Sequence, residues 1–482
     1  MPEKKQDNSL SPVPSQTGQI FEDQNYAHDA VFGEITEEGP NYRNVGWIGS
    51  AALMMKSQIG LGVLSIPVAF DTLGIVPGVI ILITIAWITT WSDYMIGVFK
   101  LKHREVYGID DAGGLMFGRI GKIFFGFAFC LYWVFVAGSG MLGISIALNS
   151  LSTHGTCTAV FVAVAAIAGF MLASIQTLGR MSPLAWIGLV CIVTGSEFIW
   201  SLLKNLIFDM KTVVLVVTIA VGVQDRPSSA PQDGVWISDY QIVGSAPFSQ
   251  SITAISSLVF AYSGTPSFFS IAAEMRDPRQ YTKSLMICQS VVTAVYLAIG
   301  CVVYYYCGSY VASPALGSAG PTLKKISYGF ALPGLLVTTM LVIHLPGKYI
   351  FLRILHGSRH LTANTITHWA VWLSCTFGIT VIAYVIASAI PVFDNLVSLI
   401  GALLGTLMSF QPMGCMWLYD NWSTKERSPQ WIMMVCWSGF VILSGTFLMV
   451  SGTYGSIVTI IDSYNASGGS AAWSCADNSN ST

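Results

Sequence analysis

About eleven stretches of this chain are apolar over the roughly 20 residues that a helix needs to cross a bilayer, and that feature leaves very few folds open. Inside lipid no water satisfies backbone N–H and C=O groups, so each stretch must be helical and the helices must pack on one another. Composition agrees. With 53% hydrophobic and 10% charged residues over 482 positions, the chain carries too much apolar surface for soluble domains and reads as an all-α polytopic membrane protein. A net charge of −2, with no basic cluster interleaved with aromatics, argues against a nucleic-acid partner.

Walking the chain places spans near 45–73, 75–99, 120–151 and 156–175, a fifth beginning at Met181, then 249–274, 285–307, 326–353, 365–390, 396–419 and 431–450 with an apolar coda to Ile461. The polar segment 1–44 has no apolar core region and reads as a disordered cytosolic tail rather than a cleavable signal. The fifth span is split by residues 195–212, which carry Glu197, Lys204, Asp209 and Lys211. They read as an insertion into one helix, since two separate crossings would turn every later basic loop outward. One set of loops holds Arg43, Lys100, Lys102, Arg119, Lys122, Arg276, Arg279, Lys348, Arg353 and Lys425; the other holds only Arg226, Lys324 and Lys325. The N-terminus is therefore expected in the cytosol and the tail 462–482 outside.

Two interruptions stand at matching places. The first span contains KSQIGLGVLSIP, Lys56–Pro67, with Ile59, Gly60, Leu61 and Gly62 at its centre; the sixth contains Phe260, Ala261, Tyr262, Ser263, Gly264 and Thr265 ahead of Pro266. Glycine pairs also serve close helix packing, as in GALLG at Gly401–Gly405. Paired breaks in corresponding halves, however, point to an inverted-repeat transporter with its site at the midplane. The halves are then 45–223 and 249–419, joined by an extracellular loop 224–248 and followed by a helix-eleven region 420–461.

KSQIGLGVLSIP together with LVFAYSGTPSFFSIAAEMRDP, Leu258–Pro278, resembles the amino acid/auxin permease family, and within it the fungal neutral amino-acid permease branch; the likeness covers about Val45 to Val450. The resemblance implies a LeuT-like fold of two inverted five-helix repeats plus one extra helix, and secondary active amino-acid uptake. It also implies that sodium-coupled relatives carry an Asn four residues before the first glycine of helix one and a Thr two residues before a proline of helix eight. Here those places hold Lys56 and His344, so an ammonium and an imidazole stand where a sodium ion and one ligand would be. A co-transported proton is the expected consequence, with sodium coupling as the alternative.

Chemically, the helix N-terminus beginning at Gly62 favours a substrate carboxylate. Carbonyls freed around Ile59 and at Ala261–Ser263 suit the ammonium, and Phe260, Tyr262 and Tyr132–Phe135 offer apolar packing. No uncompensated carboxylate sits near the breaks, so neutral aliphatic or aromatic amino acids are expected. Asp93 is placed toward the cytosolic end of span two, in a solvated or gating role rather than as a buried charge.

Other motifs fail on context. Gly138–Gly143 matches GxGxxG, but it lies inside an apolar helix with no preceding strand, which favours packing over dinucleotide binding. His356 and His360 lack the carboxylate of a metalloprotease, and neither a cofactor nor a metal is expected. No cluster of intramembrane His, Asp, Glu or Ser suggests an enzyme; a nutrient sensor keeping the same binding site is the other alternative. Cys157, Cys307 and Cys475 map to the outer side and allow one disulfide among the three. Of the sequons at Asn421, Asn465 and Asn480, the last two lie outside and are expected to be glycosylated. The plasma membrane is the expected location, with the vacuolar membrane as the alternative.

Overall fold

The computed structural model describes residues 28–29, 33–34, 44–60, 62–175, 226–227, 229–233, 235–361, 364–389, 393–423, 427–467, 473 and 475–479. Leu61, the fifth span with residues 195–212, and Asn480 therefore lie outside the described residues, as does the Asn465 side chain. Apart from a ribbon in which His28–Asp29 pairs with Gly33–Glu34, the described chain is helical.

The first span is broken as the sequence implies. Helix α1, Trp47–Gln58, gives way to a 3-10 turn, Gly62–Ser65, and then to α2, Ile66–Leu73, whose first turn holds Pro67 where a missing N–H costs nothing. The two parts are bent by 40°. Next come α3, Ile75–Lys102, and α4, Ile109–Ser152, in which Gly118 at φ 66° separates a short first helix from the span that begins at Arg119. Helix α5 is Thr158–Ala173.

The second half opens with another interrupted span: α6, Phe248–Tyr262, and α7, Thr265–Ala273, are separated by Ser263 and Gly264, with Pro266 in the first turn of α7. Helix α8, Tyr281–Cys307, follows, then α9, Pro321–Ile354, and α10, Ile366–Ala389. The tenth span is composite. Helix α11, Phe393–Ile400, runs into a π-helical turn, Gly401–Gly405, then α12, Thr406–Ser409, and α13, Gln411–Asn421. Helix α14, Pro429–Ser467, absorbs the apolar coda, which is a continuation of the helix and not a separate segment.

Packing divides these helices into two groups. Helices α4, α5, α9 and α10 pack mutually, while α1, α2, α3, α6, α7 and α8 form a second cluster. Lipid tails are as apolar as leucine, so small residues that allow close approach hold such a bundle together. The GxGxxG stretch does this: a β-carbon on Gly138 would lie 3.2 Å from the Ala383 carbonyl of α10, and one on Gly140 would lie 2.6 Å from Thr339 Oγ1 of α9. GALLG works likewise, because a β-carbon on Gly401 would meet the Ser256 carbonyl of α6 at 2.1 Å.

The C-terminal tail staples the first group together at one end. Cys475 is disulfide-bonded to Cys157 at the start of α5, and Cys307 is free. Asn478 Oδ1 accepts from Asn149 Nδ2 at 2.7 Å, and its own Nδ2 donates to Ser145 Oγ on α4 at 3.0 Å. Lys324 of α9 donates to the Ser479 carbonyl, and Trp473 N donates to the Ser388 carbonyl of α10 at 3.0 Å. All four helices of the group are thus tied to residues 473–479. At the opposite end of the bundle, Val45 pairs in parallel with Met275, donating to the Glu274 carbonyl at 3.2 Å and accepting from Arg276 N at 2.9 Å.

Cys475→Ser should remove this staple at a cost of about 2 kcal/mol, the low end for a native disulfide. Thermal unfolding of purified protein in detergent should show a lower midpoint for the variant. Equal midpoints with and without reductant would mean that the tail bears no load.

Candidate functional site

The two breaks meet, and glycine is the reason they can. A β-carbon on Gly62 would stand 2.5 Å from Ala261 Cα, and one on Gly264 would stand 2.7 Å from Gln58 Cγ and 2.8 Å from Ser57 Oγ. Each break therefore packs its glycine against the last turn of the helix that ends at the other. This reciprocity is what a pseudo-two-fold relation between α1/α2 and α6/α7 would produce.

The backbone groups freed by the breaks are claimed by side chains. Lys56 Nζ donates to the Ile59 carbonyl at 3.3 Å, returning its ammonium to the C-terminal end of its own helix, where the dipole favours a cation. Gln58 Nε2 donates to the Tyr262 carbonyl at 3.4 Å, Tyr296 OH to the Ala261 carbonyl at 2.8 Å, and Tyr132 OH to the Ser263 carbonyl. The carbonyls expected to hold a substrate ammonium thus each have a protein donor already, although a carbonyl oxygen accepts two hydrogen bonds. The aromatic residues also act differently from expectation. Tyr132 and Tyr296 are clamps on the second break, Tyr262 donates to Thr293 Oγ1 at 3.1 Å and packs edge-on to Tyr296, and Phe260 lies against Gly401.

Lys56 is fully buried, and so is His344. His344 is not brought to the breaks: its ring packs at 5.1 Å against Trp372 of α10, one turn from Lys348. The α9 side chain that touches the first break is Thr338, whose Oγ1 and Cγ2 would lie 3.1 and 3.0 Å from a β-carbon on Gly60. Counting back from Pro346 leads to His344, whereas Thr338 carries no sequence signal beyond a polar residue in an apolar run.

Two buried carboxylates flank α7. Glu274, just past its end, is ion-paired with Lys348 of α9, both almost fully buried. Asp93 of α3 is also fully buried, and this corrects the expectation of a solvated residue. Nine residues of helix, roughly 13 Å, separate it from Lys102 at the end of α3, too far for water at that end to reach it directly. Its Oδ2 accepts from Gln289 Nε2 at 2.6 Å, and its carbonyl accepts from Tyr281 OH at 2.8 Å. Because Thr265 at the start of α7 faces this carboxylate, one of the breaks does have a carboxylate without a cationic partner nearby.

A cavity of about 480 Å³ lies elsewhere, at the end of the bundle carrying Val45, and its lining includes Glu105, Asp111, Lys122, Arg353 and His356. Asp111 is ion-paired there with both Lys122 and Arg353. Among the described residues no three His, Cys, Asp or Glu side chains converge as a metal site.

Comparison with known proteins is consistent with this architecture. Residues 43–458 match the family model described as transmembrane amino acid transporter protein. An N amino acid transport system protein of Neurospora crassa is 33% identical over 452 residues, covering 92% of this chain and 91% of the relative. A transmembrane transporter of Gibberella moniliformis is 31% identical over 449 residues, covering 93% and 91%. Among solved structures, MhsT in complex with L-phenylalanine superposes with a TM-score of 0.51 at 13% identity, over 86% of this chain and 98% of that one, which establishes the LeuT-like fold.

Gly62→Ala should abolish uptake while leaving membrane insertion intact, because its β-carbon meets backbone; overpacking of this kind costs about 1–3 kcal/mol. Gly264→Ala should be milder, since the Gln58 side chain can shift, and Gly264→Leu should match Gly62→Leu in being inactive. Uptake by reconstituted protein checks the order, and equal activity of Gly62→Ala and the parent would remove the close approach from the site. For the ion pair, Lys348→Met should destabilise by about 3–5 kcal/mol by burying Glu274 without its partner, and adding Glu274→Gln should recover much of the loss in a thermal melt.

Proposed function

This chain belongs to the transmembrane amino acid transporter family, and from that premise we propose that it imports neutral amino acids by proton symport, through alternating access around the paired helix breaks. The observation that carries the proposal is Lys56: a buried ammonium, on the carbonyl that ends α1, at the point where the two breaks touch. A cation fixed there holds the first break in shape without a bound sodium ion. The N-terminus that begins at Gly62 faces the same junction and is suited to the substrate carboxylate. Substrate specificity for neutral side chains is supported by the ion pairing of Glu274 with Lys348.

In the cycle, α1/α2 and α6/α7 move against the group of α4, α5, α9 and α10. The contacts that must change are Tyr132 on Ser263, Thr338 on Gly60 and Lys348 on Glu274, since each joins one group to the other. Lys56 and His344, both fully buried within spans, are the proposed coupling residues. We place the N-terminus in the cytosol and the disulfide-bonded tail outside, at the plasma membrane, with glycans at Asn465 and Asn480.

The test is uptake into vesicles with an imposed pH gradient, with and without sodium. Accumulation should follow the inward proton gradient and ignore sodium replacement, and Lys56→Met should eliminate it. His344→Ala should weaken accumulation or shift its pH dependence, leaving exchange of substrate. Sodium-dependent, pH-independent accumulation by the parent protein would refute the coupling, and substrate binding without any accumulation would favour a sensor.

A further inference from the structure

Asp93 has no place in the cycle described so far, and its surroundings are chemically incomplete. The carboxylate is fully buried in a span, and among the described residues no cation lies within ion-pair distance of it. Among the described residues its Oδ1 has no hydrogen-bond partner within bonding distance, and neither do Oε1 of Gln289 and Oγ1 of Thr265, the α8 and α7 residues that face it. The Thr265 hydroxyl can rotate to donate, but the cluster is rich in acceptors and poor in donors. A proton on Asp93 supplies a donor and removes a charge that the membrane interior tolerates poorly.

The elements packed against α3 offer no other means of neutralising it. Helix α8 presents Tyr281 and Cys288, its cation Lys283 is exposed and sits over the Trp47 ring, and α6 and α7 present no charged side chain between Phe248 and Ala273. Helix α12 has none either, and Asp71 of α2 is more than twenty positions away by sequence, at the other end of α3. Asp420 of α13 is held by Lys102 and His103 at the end of α3, and Arg279 is exposed. The position of Asp93 relative to the break is the second independent observation. Thr265 is the first residue of α7, so any swing of α7 away from α3 uncovers the carboxylate at the same moment that it opens the break.

We infer that Asp93 is a proton-carrying residue of the transport cycle, held protonated while α7 packs on α3 as it does here and discharged when α7 moves away. The inference rests on the proton-symport reading above and adds the group that holds the proton. The proton passes from water on the substrate-entry side to the Asp93 carboxylate, and from the carboxylic acid to water on the opposite side; no other bond changes. Gln289 is a positioning residue that fixes the acid through its hydrogen bond to Oδ2, and Thr265 faces the same carboxylate from α7.

The experiment uses the full-length protein in liposomes, with labelled substrate, an imposed pH gradient of one unit, and a separate counterflow assay without a gradient. Each coupled proton supports up to about tenfold accumulation at one pH unit. Asp93→Asn, a permanent mimic of the protonated acid, should exchange substrate in counterflow but accumulate none, and its exchange rate should lose the pH dependence seen in the parent. Asp93→Glu should accumulate substrate with a displaced pH midpoint, which also guards against a failure of Asp93→Asn to fold. Normal gradient-driven accumulation by Asp93→Asn would overturn the inference while leaving proton symport standing. A parent that ignores the pH gradient would overturn the symport reading and the inference with it. Selective loss of lysine inhibition in Asp93→Asn, with accumulation of neutral substrate intact, would instead make Asp93 a receptor for a cationic side chain and so overturn the proton role.

Discussion

Everything in this bundle depends on how backbone polar groups survive where a helix stops inside a membrane. A helix that breaks at mid-depth frees several carbonyl and N–H groups, and each one left unpaired in hydrocarbon costs several kcal/mol. The solution here is mutual. Gln58 at the end of α1 reaches the Tyr262 carbonyl at the end of α6, Lys56 turns back onto Ile59, and Tyr132 and Tyr296 hold the remaining carbonyls of the second break. Glycines at positions 62 and 264 let the breaks approach closely enough for these bonds to form. A break stabilised by side chains from neighbouring helices can be released when those helices move, so the same hydrogen bonds that make the fold possible are the ones transport must disturb.

The remaining architecture separates what moves from what stays. Helices α4, α5, α9 and α10 are packed through small residues and tied together at one end by the tail from Trp473 to Ser479 and its disulfide. Such a block suits a fixed frame. Polar connections between the frame and the broken helices are Tyr132 with Ser263 and Lys348 with Glu274, beside the contact of Thr338 with Gly60. Polar links between rigid groups have two discrete states, made or broken, and this is the property a gating contact needs.

Much of the fold was legible in the sequence because hydropathy, proline and glycine act locally. The run from Lys56 to Pro67 announced a broken helix with the residues themselves, and the break from Ser263 to Thr265 followed from its likeness to the first. What stayed hidden depends on which helix faces which. Tyr132 and Tyr296 looked like any aromatic residues in a span, yet the bundle aims their hydroxyls at carbonyls more than 30 residues away in sequence. By sequence Asp93 belongs near water because it lies in the second half of α3, close to a basic loop, whereas packing by α7 and α8 buries it. Thr338 rather than His344 touches Gly60 because helical register across α1 and α9 cannot be read from one proline. Three outer cysteines left the disulfide open, and only the return of the tail to α5 selects Cys157 and Cys475.

The most direct test of the central claim is an experimental structure of the protein with a neutral amino acid bound. The substrate carboxylate should lie within hydrogen-bonding distance of backbone N–H groups at the start of the turn beginning at Gly62, with its ammonium toward the carbonyls of Ala261–Ser263. Substrate density in the cavity lined by Asp111, Lys122 and Arg353, with the two breaks still closed on each other and empty, would contradict it.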